Sequence, residues 1–147
     1  MKYIHTNIIA RDWRKLADFY IKVFNCSELS PKRDLKGNWI DESTGIQNVH
    51  IEGVHLKLPG YDDSGPTLEI FQYNKSIPQE IKLINRQGLA HIAFRVENVD
   101  KVLSEVIDKG GSKLSDIIKH DIPGIGFITY VYAADPEGNF IELQKFS

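Results

Sequence analysis

Apolar and polar positions alternate along residues 3–10, which predicts a strand with His5, Asn7 and Ile9 on one side and Ile4, Ile8 and Ala10 on the other. The period then changes. Trp13, Leu16, Ala17 and Tyr20 follow the i, i+3, i+4, i+7 spacing of a buried helical face, so a helix of roughly 12 residues is expected from an Asp12 cap to near Phe24-Asn25. The whole pattern returns later at a constant offset, 91 − 5 = 86. His91, Ala93 and Arg95 share one face of a strand over 89–96, and Val99, Val102, Leu103 and Val106 line a helix over 99–109 that Asn98 opens and Gly110-Gly111 stops. Matched residue types are cheap, but matched periodicity is not.

Strand-like stretches follow each helix. In the first half these are 26–33, 48–58 and 66–73, with an irregular piece around Gly37-Asn38-Trp39, and in the second half 113–118, 126–134 and 139–146. Turn residues at Pro59–Pro66 and Asp135–Asn139 predict hairpins. The expectation is an α+β fold of two βαβββ modules, residues 1–75 and 88–147, joined by a linker over 76–87. One module leaves a sheet face uncovered, so two are expected to form a curved mixed sheet around a shared cup.

Composition narrows the function. A chain of 147 residues is expected to form one such domain without a regulatory addition. The formal charge of −2, with Lys and Arg scattered among Asp and Glu, gives no basic stripe for nucleic acid or anionic lipid. Cys26 is alone, which excludes an internal disulfide or a Cys-rich zinc site and suits a reducing cytoplasm. No apolar run approaches a bilayer span, and no signal core opens the chain. A cytoplasmic protein with a small-molecule substrate, and neither nucleic acid nor membrane as partner, is expected.

Four residues carry the candidate chemistry. His5 and His91 open equivalent strands, and Glu69 and Glu142 sit inside later apolar strands, Thr67-Leu68-Glu69-Ile70-Phe71 and Phe140-Ile141-Glu142-Leu143. A single strand-opening histidine is more often a surface group than a ligand, and either glutamate could face solvent from a one-sided sheet. The weight comes from all four standing at matching places in two repeats. Two imidazoles and two carboxylates suit one divalent ion, and the ligand types do not choose among Zn, Ni, Co, Fe and Mn. Asn7, Phe71 and Tyr73 share faces with these residues and are expected to line the substrate space. Trp39 is expected as a buried anchor of an irregular loop, and His120 as a solvated histidine on a mobile loop before Pro123-Gly124. His50 and His55 fall on opposite faces of their strand and receive no role.

The opening with His5, the strand bearing Glu69, Gly88-Leu89-Ala90-His91-Ile92-Ala93-Phe94 and the terminal Asp135-Pro136-Glu137-Gly138-Asn139-Phe140-Ile141-Glu142 together resemble the vicinal oxygen chelate superfamily over nearly the whole chain. That group spans glyoxalase I, methylmalonyl-CoA epimerase, small ring-cleaving dioxygenases and metal-free antibiotic-binding proteins. The resemblance implies metal ligands at His5, Glu69, His91 and Glu142, a set most like bacterial glyoxalase I. It implies a lyase or isomerase that stabilises an enediolate of a small α-oxo hemithioacetal, with Glu142 as base and Glu69 as its partner, roles that pseudo-symmetry could exchange. A CoA-thioester epimerase, an Fe(II) extradiol dioxygenase and a non-catalytic binding protein are the alternatives, and a homodimer is implied for all. One position departs from the glyoxalase pattern. An arginine that serves glutathione four residues after the first ligand is replaced here by Ile9, while Arg95 stands at the equivalent place after His91 and is expected to anchor an anionic substrate group.

Overall fold

Helix α1, Trp13–Phe24, follows strand β1, His5–Ile9, and begins where the Asp12 carboxylate accepts the Lys15 N–H at 3.2 Å. It ends on Asn25 in the left-handed region. The computed structural model describes residues 1–78 and 80–147, and the chain divides into two units, Met1–Pro78 and Gln79–Ser147. In the first unit α1 is followed by β2, Ser27–Lys36, a seven-residue helix α2, Asn38–Thr44, then β3, His50–Lys57, and β4, Thr67–Tyr73. The sheet order is β1-β4-β3-β2, with β1 parallel to β4 and the other pairs antiparallel.

Alternation decides what each face of this sheet does. Val54, Leu56, Leu68 and Ile70 are fully or almost fully buried, as are Leu16, Ala17 and Tyr20 of α1, which packs on β3 and β4. On the other face an apolar cluster of Ile40, Val49 and Ile51 gathers Leu35, Ile46, Phe71 and Tyr73. The Asp41 carboxylate ties α2 to the start of β3 by accepting N–H groups of Asn48 at 2.7 Å and Val49 at 2.9 Å. Two expectations change here. The irregular piece is a short helix, and Trp39 is 59% exposed rather than a buried anchor. Successive helical residues lie about 100° apart, so turning Ile40 inward turns its neighbour out. β2 also runs further than expected, with its register broken between Leu29 and Arg33, as suits an edge strand carrying Pro31.

The second unit repeats the opening. β5, His91–Arg95, leads to α3, Val99–Asp108, so the helix starts and the capping residues Asp12 and Asn98 keep the offset of 98 − 12 = 86. Asn98 accepts the Lys101 N–H at 2.9 Å. The helix closes as a Schellman motif, with Gly110 N–H donating to Ile107 and Gly111 N–H to Val106, and Gly110 at φ +89°. Asn98→Ala is expected to cost about 1 kcal/mol in a denaturant titration, the usual worth of such a cap.

β6, Ser112–Lys113, β7, Ile118–Ile122, β8, Gly126–Ala134, and β9, Phe140–Phe146, complete a sheet ordered β5-β9-β8-β6, with β7 also on β8. Val106 of α3 and Val131, Ala133, Ile141 and Leu143 of the sheet are fully buried. The stretch expected as one strand at 113–118 is thus two pieces, and His120 lies within β7, opposite Ile128, instead of on a loop. Pro123-Gly124 is the cause. Ile125 N–H donates to Ile122 at 3.0 Å and Gly124 adopts φ +80°, the geometry of a type II turn with Pro and Gly at its centre. Cys26 is buried among apolar groups, which pushes its thiol up to about 12 and leaves it an unreactive core residue. Among the described residues no helix is long and apolar enough to cross a membrane.

Candidate metal centre

In the first unit, strand register assembles a row across the face that α1 does not cover. β1 pairs with β4 so that Asn7 stands opposite Glu69, and β3 pairs with β4 so that His55 stands opposite Glu69 from the other side. His5, two residues before Asn7, reaches the same carboxylate. His5 Nε2 lies 3.3 Å from Glu69 Oε2, Asn7 Nδ2 donates to Oε2 at 3.1 Å, and His55 Nε2 approaches Oε1 at 2.7 Å. Glu69 is buried, and these contacts answer the cost of placing a carboxylate there. The His55 Nδ1 pairs with the Thr67 hydroxyl at 3.2 Å, and its ring packs edge-on against Phe71 at 5.8 Å between centroids. Burial holds the His55 imidazole below its ordinary pKa, against the upward pull of the Glu69 carboxylate.

The second unit builds the same frame with different residues. Ala93 stands opposite Glu142 on one side and Tyr132 on the other, and His91 Nε2 lies 3.0 Å from Glu142 Oε2. The Tyr132 ring meets the His91 ring edge-on at 5.2 Å. Burial, and then the Glu142 carboxylate, raise the Tyr132 pKa, so the phenol keeps its proton. His91 Nδ1 is buried with no hydrogen-bond partner among the described residues. Arg95 is one row further along the same face, opposite Gln144, exposed and outside every ion pair among the described residues.

The four expected ligands are therefore gathered as two pairs, His5 with Glu69 and His91 with Glu142. Among the described residues no group of three or more His, Cys, Asp or Glu side chains is disposed to hold a metal ion. The donor chemistry of each pair nevertheless suits a divalent cation. In each pair an imidazole nitrogen from a more exposed histidine already faces an oxygen of a more buried carboxylate, and a cation shared by the pair would take Nε2 and the carboxylate. Asn7 stands beside Glu69 with its amide engaged by that carboxylate, Phe71 packs edge-on against His55, and Phe71 and Tyr73 both border the apolar cluster near α2.

His55 is the residue that reading the sequence missed. Its place between Val54 and Leu56 already set it on the face opposite the core, but its partner depends on the β3–β4 register. That register is fixed across a connection from 58 to 66 whose length does not name a turn type.

Comparison with known proteins bears on the fold and the family. A family profile for the Glyoxalase/Bleomycin resistance protein/Dioxygenase superfamily matches residues 2–143. Among curated proteins, none matches the chain. Solved structures share its fold. A glyoxalase family protein from Bacillus cereus superposes with a TM-score of 0.78 at 17% identity, covering 99% of this chain and 93% of that one. Another glyoxalase family protein, from Enterococcus faecalis, gives 0.65 at 22% identity, covering 97% and 96%. With the profile matched along nearly its whole length and the α+β architecture shared, this chain belongs to the glyoxalase/bleomycin resistance protein/dioxygenase superfamily.

Proposed function

We propose that the chain is a divalent-metal-dependent enzyme of glyoxalase I type, using His5, Glu69, His91 and Glu142 as ligands and moving a proton between adjacent carbons of a small α-oxo substrate. The observation that carries this reading is the pair of matched His–Glu contacts, at 3.3 Å and 3.0 Å, on equivalent strands of two repeats. A sequestering protein has no use for two such pairs. A bound Zn, Ni, Co, Fe or Mn ion would act as Lewis acid toward the substrate carbonyl oxygen.

The protein's own groups differ in what they can do. Glu69 is held through both oxygens, whereas Glu142 is paired with His91 through Oε2. The less tethered carboxylate is the better proton carrier, so Glu142 takes the proton from the carbon beside the carbonyl and returns it to its neighbour. The protonated Tyr132 phenol is a hydrogen-bond donor next to that carboxylate. Asn7 and Phe71 border the substrate on the Glu69 side. Arg95 supplies the positive charge for an anionic substrate group, and Ile9 leaves the other half without one. A homodimer is part of the proposal, supported by β1 and β5, which each end the order of their sheet.

Metal titration followed by turnover of a hemithioacetal, with methylmalonyl-CoA and a catechol as competitors for the assignment, tests the reading. Uptake of a divalent ion with turnover of the hemithioacetal is expected, and protein that acquires no ion contradicts it. Arg95→Ala is expected to raise KM for an anionic substrate about tenfold with little change in kcat, since an exposed charge pair contributes on the order of 1 kcal/mol. An unchanged KM removes Arg95 from the site.

A further inference from the structure

The carboxylate of Glu69 has its two oxygens divided between different partners. Oε2 faces His5 Nε2 and accepts from Asn7, while Oε1 faces His55 Nε2 at 2.7 Å. His55 is itself fixed from behind. With a carboxylate at Nε2, the proton belongs on Nε2, and Nδ1 is then the acceptor for the Thr67 hydroxyl at 3.2 Å. The ring is further confined by edge contacts to Phe71 at 5.8 Å and to His5 at 6.0 Å between centroids. In the second unit the place opposite the glutamate is taken by Tyr132. The repeat is thus symmetric in its His–Glu pairs and asymmetric in the residue behind each carboxylate.

We infer that His55 is a positioning residue, held by Thr67, that fixes Glu69 through Oε1 and so presents Oε2 as a rigid metal ligand, while among the described residues no histidine braces Glu142 in this way. This rests on the proposed role of Glu69 and goes beyond it by dividing the two carboxylates into a fixed one and a movable one. A hydrogen bond to the outer oxygen of a ligating carboxylate orients it, and loss of such a partner commonly weakens metal affinity about 10- to 100-fold.

The full chain titrated with Co(II), read by calorimetry and by the visible absorption of the bound ion, tests the assignment in the wild type, His55→Leu, His55→Gln and Thr67→Val. Wild-type protein is expected to take up Co(II). His55→Leu should bind it about 10- to 100-fold more weakly with an altered spectrum. His55→Gln, whose amide can still donate to Oε1, should recover most of the affinity and the wild-type spectrum, and Thr67→Val should lose a few-fold. The rescue separates orientation from a general effect on folding, and the Gln and Val variants carry the test if the Leu variant does not fold. Equal affinity and spectrum in His55→Leu overturn the inference and leave the metal site standing. A loss that His55→Gln does not relieve makes His55 a direct ligand or a purely structural residue, which also overturns it. Absence of Co(II) uptake by the wild type overturns the reading of the site and the inference together.

Discussion

Glu142→Gln is expected to lower kcat for the hemithioacetal by about 10²- to 10⁴-fold, the usual worth of a positioned general base, equivalent to roughly 3 to 5 kcal/mol of barrier. The amide keeps the shape of the carboxylate and one carbonyl oxygen, so it can still accept from His91 Nε2, which now lies 3.0 Å from Glu142 Oε2. It cannot take a proton. The loss should therefore fall on turnover, with Co(II) affinity reduced much less. Glu69→Gln should behave in the opposite sense, because that carboxylate meets His5, Asn7 and His55 at once and an amide can satisfy only part of that set. Its first effect should be on metal affinity. If Glu142→Gln retains turnover within a few-fold and Glu69→Gln abolishes it at saturating metal, the base is Glu69, and the roles of the two halves are exchanged.

How far this site could be read in the chain depended on which contacts are local. The repeat at offset 86 was legible because helix caps, helical period and strand alternation are all set by neighbours in sequence, and α1 and α3 start where that offset places them. His5, Glu69, His91 and Glu142 stood out because they occupy matching places in the two repeats, and the structure brings them together as two His–Glu pairs. His55 was not, because its meaning lies in its pairing with Glu69 across two strands joined by a long connection. Trp39 was misjudged because indole size argues for burial, while the one apolar face of a seven-residue helix was already taken by Ile40. His120 was misplaced because the stretch before Pro123-Gly124 was read as a mobile loop, although Pro123-Gly124 is the centre of a turn that returns the chain from β7 into β8.

Ile70→Ala is expected to cost about 2 to 5 kcal/mol, a large part of the 5 to 15 kcal/mol that holds a domain of this kind together. Ile70 is fully buried, with Ile8 and Val54 opposite it in the sheet, and its side emerges on the face that α1 covers. Truncation there removes apolar contact and leaves a cavity that a close-packed sheet and helix close only in part. The denaturant midpoint should fall with little change in slope. Glu69 is the preceding residue, and alternation sends its side chain to the other face. Folded Ile70→Ala protein should therefore bind Co(II) within a few-fold of the wild type, although less of it is folded. Adjacent positions would then separate stability from chemistry, Ile70 governing the first and Glu69 the second. A cost under about 1 kcal/mol would mean that the α1 face is not the close-packed one, and a matching loss of Co(II) affinity in the folded protein would mean that the two faces do not act independently.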